Sequence, residues 1–204
     1  MVLEKLLYVG TVVPSLDKEA RVYKKTYTGI SIYNDIIQVD DIIFKIDDCK
    51  ILDLGCGDMN YAKEIKSNIV GVDIYDIKNN IVGDVCDLST WNNFNDEQFD
   101  LIISLSSAHW FGKNTIWVKE SFKKLKNNGK IFYYILHEDM INKRGFRIIG
   151  MPEHILSSNS WLLLNQNSAY KLFNEAGFNI LNVKETESLV NQKIVKYIVI
   201  IGEK

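Results

Sequence analysis

The stretch "KILDLGCGDMNYAKEI", residues 50–65, decides the fold of this chain. An apolar run ends in an acid, Asp53, and passes directly into the turn "GCG" at 55–57, after which a short helix is expected. A strand, a glycine turn and a helix in this order indicate a backbone shaped around a ligand, because glycine lets the chain turn tightly and approach a bound group. Met59 stands where a further glycine would complete the pattern.

Apolar runs and helical patterns alternate along the rest of the chain. Helices are expected over 114–129, closing at Gly129, and over 167–178, with Ser168 as the N-cap and Gly177 just past the end. The expected strands are nearly continuously apolar, which is typical of parallel strands covered on both faces. They are 50–54, 68–74, 80–84, 99–105 and 130–136, followed by 178–185 and 192–202 with no helix between the last two.

This alternation predicts an α/β fold, a doubly wound, mostly parallel seven-stranded sheet with an antiparallel C-terminal hairpin and helices on both faces. At 204 residues, a single domain is expected over 1–204. Residues 1–47 fit the alternation poorly and are expected to cap one end of the sheet, which leaves 48–204 as the cofactor-binding core. The irregular segment 137–166 follows a strand's carboxyl end, where ligands bind in such sheets, and is predicted to lie on the substrate side.

The composition narrows the classes of function. A formal net charge of −2 gives no general attraction to nucleic acid or to an anionic membrane. The three cysteines have no CxxC spacing, which predicts reduced thiols in a cytoplasmic protein, and no metal site is expected. No apolar run approaches the roughly 20 residues needed to cross a bilayer, and the first apolar stretch lacks the form of a secretory signal.

The acid before the glycine turn argues against a phosphate ligand. No GxxxxGK[ST] P-loop occurs, and a GxGxxG dinucleotide turn would need glycine at position 60, where Asn60 stands. A carboxylate at Asp53 would repel a pyrophosphate but attract a cation. The turn therefore predicts a ligand that carries positive charge and no phosphate.

Five motifs, in order, resemble those of the class I S-adenosylmethionine-dependent methyltransferases. "LDLGCGD" resembles the first motif of that family, "VGVDI" the second and "GDVCDL" the third. "FDLIISLSSAHWF" resembles the fourth motif, and "LKNNGKIFYY" the strand near the fifth. The resemblance covers roughly residues 45 to 204. It implies the class I fold, S-adenosyl-L-methionine as cofactor and methyl transfer as activity.

The resemblance also implies which residues hold the cofactor. Asp73, in the second motif, matches the acid that binds both ribose hydroxyls, and Asp84, in the third, matches the acid that meets the adenine amino group. Asp53 would lie near the methionine end, where the cofactor is cationic. The complete implied set is Asp53, Gly55, Cys56, Gly57, Asp73, Ile74, Asp84, Val85 and Ser104.

The fourth motif indicates the class of acceptor. Enzymes that methylate exocyclic amines of nucleic-acid bases carry [DN]PP[YF] there, whereas this chain has "SLSS" at 104–107. Ribose 2′-hydroxyl methyltransferases place an aspartate after that strand, and this chain has Ser104. "SSAHWF" is instead similar to small-molecule methyltransferases. The resemblance therefore implies a small-molecule acceptor, methylated on oxygen or nitrogen, and argues against nucleic acid.

Two histidines are candidates for substrate contact or general base catalysis. His109 follows the fourth strand and His137 the fifth, and an unperturbed histidine pKa near 6.5 suits proton removal at neutral pH. A backbone-bound histidine at a helix start, or a polar surface loop, would explain the same two residues without catalysis. Trp110, Tyr23 and Tyr27 are predicted to wall the acceptor site.

Two other functions stay open. A catalytically silent relative that binds the cofactor or a partner as a scaffold subunit would account for Met59 and for the lack of a clear acid–base pair. A transferase acting on RNA or protein through the N-terminal segment is the other. An aminopropyl-transferring relative shares the fold and the turn, but it would carry extra acids after the fourth strand, and "SLSSAHW" has none.

Overall fold

The computed structural model describes residues 9–11, 24–26, 30–33, 35–39, 41–59, 61–62, 65–77, 80–112, 114–142, 162, 164–190 and 193–204. Five short strands come first. Strands β1 (Val9–Thr11) and β2 (Lys24–Thr26) form an antiparallel pair. Strands β3 (Ile30–Tyr33), β4 (Ile36–Val39) and β5 (Ile42–Lys45) form an antiparallel three-stranded sheet.

The other strands form the main sheet. They are β6 (Lys50–Leu54), β7 (Asn68–Asp73), β8 (Ile81–Val82), β9 (Phe99–Leu105), β10 (Leu125–Leu136), β11 (Asn179–Val190) and β12 (Lys193–Glu203). Their spatial order is β8-β7-β6-β9-β10-β12-β11. Strands β6 to β10 pair in parallel, and β12 runs antiparallel to both β10 and β11. The predicted seven-stranded, mostly parallel sheet with a C-terminal antiparallel hairpin is confirmed.

The strand order fixes where a ligand can bind. From β6 the chain moves outward on one side through β7 and β8, and then returns to the other side through β9 and β10. The carboxyl ends of β6 and β9 therefore flank the switch point of the sheet. Open α/β sheets bind their ligands in the crevice at this point.

Helices cover mainly one face of the main sheet. They are α1 (Leu88–Trp91), α2 (Ile116–Lys124), α3 (Asp139–Asn142) and α4 (Gln166–Glu175). Buried residues of α1, α2 and α4, among them Trp117 and Phe173, pack with Leu52 and Leu54 of β6. Helix α3 packs on the opposite face through Met140, so helices contribute to both faces as expected.

The three-stranded sheet covers the other face. Its apolar side chains share a buried cluster with Ile51 of β6, and Asp35 in the β3–β4 turn accepts a hydrogen bond from the backbone N–H of Lys66 at 2.6 Å. The buried members from the sheet and its end are Ile30, Ile32, Ile37, Val39, Ile42 and Ile46. Strands β3, β4 and β5 thus lie against a face of the main sheet. The assignment of the whole of 1–47 as a cap over one end stays a prediction.

Two helix boundaries differ from expectation. The prediction that the first long helix closes at Gly129 is wrong, because α2 ends at Lys124 and Leu125 is already extended, with φ −73° and ψ 140°. Leu125 is fully buried beside its β9 partner Phe99, and this burial overrides the helical propensity of the following residues. Gly177 follows the C-cap of α4 at φ 107°, as predicted.

The N-cap of α4 is Asn165, so the prediction of Ser168 is wrong by three residues. Asn165 accepts from the N–H of Ser168, and the Ser168 hydroxyl accepts from the N–H of Asn165, both at 2.9 Å. This is a capping box in which Ser168 holds the third helical position. In the part of the chain that the structure describes, no helix is long and apolar enough to cross a membrane.

Candidate functional site

The glycine turn after β6 is tied to the neighbouring strand β7. The N–H groups of Gly55 and Cys56 both donate to the carbonyl of Val72, at 2.8 and 3.1 Å. Gly55 and Gly57 have φ values of 70° and 53°, in the left-handed region that glycine adopts without a steric cost. The turn is thus held at the carboxyl ends of β6 and β7, where the sequence predicted a ligand.

Asp73, at the end of β7, completes this connection. Its Oδ2 accepts from the N–H of Gly57 at 3.0 Å, and its Oδ1 accepts from the N–H of Tyr75 at 3.1 Å. Burial raises the pKa of Asp73, while these backbone hydrogen bonds act to lower it. The acid of the second motif is therefore fixed to the turn of the first motif, and each oxygen keeps a lone pair for a further donor.

Apolar surface is exposed beside this acid. The side chain of Ile74 is 54% exposed, and Val82, which pairs with Asp73 across β7 and β8, is 55% exposed. Single exposed apolar side chains are common on protein surfaces, and these two are of interest because they lie beside Asp73 at the strand ends. The surface is suited to the flat face of an adenine ring.

Asp53, at the end of β6, is buried with one oxygen engaged. Its Oδ2 accepts a short hydrogen bond from the hydroxyl of Tyr61, and its Oδ1 has no hydrogen-bond partner among the described residues. Burial, above all, raises the pKa of Asp53 to about 7, and the nearby Asp73 adds to this rise. The Tyr61 hydrogen bond opposes it. One oxygen of this buried carboxyl group therefore lacks a donor, which a cationic ligand group could supply.

The third motif places its residues at different depths. Asp84 is exposed, and its Oδ1 accepts from the N–H of Cys86 at 2.8 Å. Val85 is buried in the helical face, and its carbonyl accepts from the indole N–H of Trp91 at 2.8 Å. Asp84 can therefore meet a ligand through its side chain, whereas the side chain of Val85 belongs to the core.

Two serine hydroxyls bond to backbone carbonyls at the start of the glycine turn. One of them lies in the loop after β9, residues 106–107, which we call the serine loop. Ser104 is fully buried and its hydroxyl donates to the carbonyl of Leu54 at 2.9 Å. Ser107 donates to the carbonyl of Gly55 at 2.7 Å, and a Cβ at Gly55 would lie only 2.5 Å from that of Ser107. Gly55 is therefore required partly by the serine loop. Sequence reasoning missed the contacts of Ser107 and Tyr61. Ser107 lies in the fourth motif, but neither its partner nor that of Tyr61 can be inferred from position in the sequence.

Met59 occupies a glycine-like conformation without entering the turn's open side. Its φ is 48°, in the left-handed region, which explains why a glycine is expected there. Its thioether lies against β7, where the sulfur atoms of Met59 and Cys56 would each be 2.5 Å from a Cβ at Gly71. Gly71 makes room for both sulfur-containing side chains.

We expect Met59→Gly to keep the affinity for S-adenosylhomocysteine within about threefold of wild type. Glycine adopts the same φ without strain, and the side chain that is lost packs on Gly71. The relief of strain, about 1 kcal/mol, should largely offset the loss of apolar contacts. Calorimetric titration with this ligand and a urea denaturation curve measure both effects. A tenfold or greater change in affinity would contradict the assignment of Met59 to a packing role.

His109 lies in a 3-10 turn, Ala108–Trp110, directly after the serine loop. It is buried, and burial lowers its pKa to about 3. Its ring and that of Trp110 are 5.4 Å apart between centroids. Trp110 is half-buried and packs against the cluster that includes Tyr134 and Tyr197. The structure therefore brings His109 and Trp110 together beside the glycine turn, with a neutral imidazole at neutral pH.

His137 lies at the carboxyl end of β10, with protein groups close to both ring nitrogens. Nδ1 accepts from the N–H of Asp139 at 3.0 Å, and Nε2 lies 3.4 Å from a carboxylate oxygen of Glu185. Nδ1 is thus engaged, whereas Nε2 makes no hydrogen bond to the described residues. The geometry favours a structural role for His137. Tyr23 and Tyr27, predicted to wall the acceptor site, lie outside the described residues.

No set of three or more His, Cys, Asp or Glu side chains within the described ranges could hold a metal ion. Burial raises the pKa of the Cys86 thiol to about 12, and its sulfur donates to the carbonyl of Phe111 at 2.7 Å. Cys86 is therefore a neutral packing residue at neutral pH.

Comparison with known proteins agrees with this geometry. Residues 52–133 match the family model described as "Methyltransferase domain", and this segment begins in β6 and ends in β10. This segment is therefore a methyltransferase domain by sequence, and the main sheet has the fold of the class I S-adenosylmethionine-dependent methyltransferases. No curated protein matches it in sequence.

Three solved structures show how widely this methyltransferase fold is shared. A SAM-dependent methyltransferase from Methanosarcina mazei is similar at 18% identity and a TM-score of 0.57, over 78% of this chain and 93% of that one. A methyltransferase in complex with the Trm112 methyltransferase activator of Haloferax volcanii is similar at 16% identity and 0.57, over 76% and 82%. The 1,6-didemethyltoxoflavin-N1-methyltransferase of Burkholderia thailandensis, with S-adenosylhomocysteine bound, is similar at 13% identity and 0.55, over 76% and 71%. At these identities, the likeness concerns the fold.

The residues at this site fit S-adenosylmethionine, the cofactor that the family resemblance implies. The open oxygen of buried Asp53 suits a cationic group, the turn-bound Asp73 suits hydroxyl donors, and exposed Ile74 suits an aromatic ring. The three features follow one another along the ends of β6 and β7. This is the order of ammonium, ribose and adenine in S-adenosylmethionine.

Proposed function

We propose that the chain transfers the methyl group of S-adenosylmethionine to an oxygen or nitrogen of a small-molecule acceptor. The observation that carries the proposal is the hydrogen bond from Gly57 to Asp73 beside the exposed side chain of Ile74. It joins the first two motifs into one pocket wall. We assign the cofactor contacts to Asp53, Gly55, Cys56, Gly57, Asp73, Ile74, Asp84, Val85 and Ser104, with the last two acting through backbone and packing.

The bound cofactor supplies an activated methyl group on a sulfonium, which leaves as a neutral thioether. The chain's own residues supply binding and alignment. Asp73 would accept from the ribose hydroxyls, Asp53 would receive the ammonium group, and Ile74 would contact the adenine. Orientation of this kind can account for several kcal/mol of a displacement barrier.

His109 and Trp110 are the proposed acceptor side of the site. An imidazole with a pKa of about 3 stays neutral at pH 7, so it can give or accept a hydrogen bond without a charge. The same low pKa makes it a weak base. We therefore favour substrate contact over proton removal for His109, and an acceptor atom that is deprotonated at neutral pH or loses its proton after transfer. Trp110 offers a half-buried aromatic wall.

The cofactor assignment is tested by calorimetric titration with S-adenosylhomocysteine. We expect micromolar binding by the wild-type chain and a loss of at least about 100-fold in Asp73→Ala, because two hydrogen bonds to a charged acceptor disappear. Glu175→Gln is the matched control, since Glu175 is an exposed acid at the end of α4 and pairs only with exposed Lys171 in the described contacts. Its affinity should equal that of wild type.

The acceptor class is tested with S-adenosylmethionine labelled in the methyl group and a cell extract that is separated into metabolite, RNA and protein fractions. We expect label in the metabolite pool. Label in RNA or protein would contradict the small-molecule assignment, and RNA binding that weakens steeply with salt would support an RNA acceptor. Tight cofactor binding with no label in any pool would favour a silent scaffold subunit.

A further inference from the structure

Tyr61 contacts Asp53 of the first motif, but Tyr61 itself lies outside the motifs of the family resemblance. Tyr61 begins a 3-10 turn eight residues after Asp53, and its side chain is buried with Ile51 and Ile65. Its hydroxyl donates to Asp53 Oδ2. Because the aromatic ring is fixed by the core, the hydroxyl holds one carboxylate oxygen in place.

The second oxygen of Asp53 is the unusual feature. Asp53 is 1% exposed, and its Oδ1 has no partner in the described part of the chain. A buried carboxylate oxygen without a donor is costly, and natural proteins seldom leave one open without a functional reason. A ligand that brings its own donor and positive charge would satisfy it.

We propose that Tyr61 is a positioning residue that orients Asp53 toward the ammonium group of the cofactor and makes cofactor binding depend on the ionisation of Asp53. This proposal rests on the proposed function, because the ammonium belongs to S-adenosylmethionine or its product. Tyr61 does not itself touch the reacting atoms in this assignment. It acts through the carboxylate.

The groups around Asp53 set the direction of the effect. Asp73 on β7 is the acid whose charge raises the pKa of Asp53, which burial already brings to about 7. Cys56 in the turn, Tyr61 and Tyr133 of β10 all have pKa values raised by burial and by the charge of Asp53, so they stay neutral below pH 8. The charge of Asp58 acts in the same direction on Cys56 and Tyr61.

Ionised Asp53 is therefore the form that Tyr61 favours and that a cation needs. Near pH 7 both protonation states are populated. Below pH 7 the neutral carboxyl group should lose the ammonium, and above it the carboxylate should bind it. Without the Tyr61 hydroxyl, the pKa of Asp53 moves further up, because the hydrogen bond is the cause that opposes burial.

The test is calorimetric titration of wild type and Tyr61→Phe with S-adenosylhomocysteine at half-unit steps from pH 5.5 to 8.5. We expect wild-type affinity to rise about fivefold between pH 6 and pH 7 and to level off above pH 7.5. In Tyr61→Phe the same rise should move upward by about one pH unit, the value of a hydrogen bond to a charged group. Tyr170→Phe, an exposed tyrosine of α4, is the matched control and should follow wild type.

A ligand control separates Asp53 from the other groups. Methylthioadenosine lacks the amino-acid portion and should bind with little pH dependence in both proteins. Asp53→Asn should also give a flat profile with S-adenosylhomocysteine, which tests the proposal even if Tyr61→Phe fails to fold. Identical pH profiles for wild type and a folded Tyr61→Phe would overturn the proposal and leave the proposed function intact. No binding by folded wild type at any pH would overturn both.

Discussion

Asp53→Asn is expected to be more stable than wild type at pH 8, by about 4 kcal/mol, while it binds S-adenosylhomocysteine about tenfold more weakly. Burial raises the pKa of Asp53 from 3.8 to about 7, and each unit corresponds to about 1.4 kcal/mol of differential stabilisation between its protonation states. Ionised Asp53 is thus disfavoured in the folded protein. An amide keeps the shape of the side chain and removes that charge.

The direction in which wild-type stability changes with pH follows from proton linkage. Between pH 3.8 and about 7 the folded protein holds a proton on Asp53 that the unfolded chain has released, so wild-type stability falls as the pH rises through this window. Above pH 7 the stability of wild type no longer falls on account of Asp53. The gap between variant and wild type should therefore shrink from about 4 kcal/mol at pH 8 to about 2 kcal/mol at pH 5.

Urea denaturation at pH 5 and pH 8 measures this gap, with Glu175→Gln as a control in which an exposed acid is neutralised. The control should stay within about 0.5 kcal/mol of wild type at both pH values. A gap that does not change with pH would show that Asp53 is not strained by its charge. Together with weaker ligand binding, the expected result would identify Asp53 as a residue where stability is sacrificed for function.

Trp117→Ala is expected to destabilise the protein by about 4 kcal/mol, whereas Trp117→Phe should cost about 1 kcal/mol or less. Trp117 of α2 is fully buried, with ring centroids 5.4 Å from Phe111, 5.3 Å from Tyr133 and 5.9 Å from Phe173. Alanine would leave a large cavity among these rings. Phenylalanine keeps most of the contacts and removes an indole N–H that has no hydrogen-bond partner among the described residues.

Trp91→Phe is the matched control for this pair. Trp91 of α1 is also buried, but its indole N–H donates to the carbonyl of Val85 at 2.8 Å. Its replacement should therefore cost about 1 kcal/mol more than Trp117→Phe. Denaturant unfolding curves for the three variants measure these losses in the free energy of unfolding. A cost below about 1 kcal/mol for Trp117→Ala would mean that the cluster closes over the missing ring.

The fold was largely predictable because its signals are local. The apolar runs at 50–54 and 99–105 coincide with β6 and β9, since a strand buried on both faces needs continuous apolar residues. The end of α2 was predicted wrongly because the pairing of Leu125 with Phe99 is a contact between distant segments. The packing of β3, β4 and β5 on one face of the main sheet could not be predicted from the sequence either. Short alternating strands do not specify the surface on which they pack.

Part of the site was predictable on the same grounds. Asp53, Gly55 and Asp73 stand at fixed places relative to their strands, so the motifs alone placed them at one edge of the sheet. Tyr61 and Ser107 were missed, because their hydrogen-bond partners depend on how the glycine turn and the serine loop pack together. The role of Met59 depends on Gly71, twelve residues away and on another strand.

The sequence by itself determined the order of strands and helices, the glycine turn and the acids at the strand ends, because backbone preference and apolar periodicity act over a few residues. Only the tertiary structure decided the pKa values of those acids and of His109. Desolvation depends on everything packed around a group, and neighbours from several strands raise the pKa of Asp53 to about 7 and lower that of His109 to about 3. The chemistry of the site therefore depends on burial that no motif records.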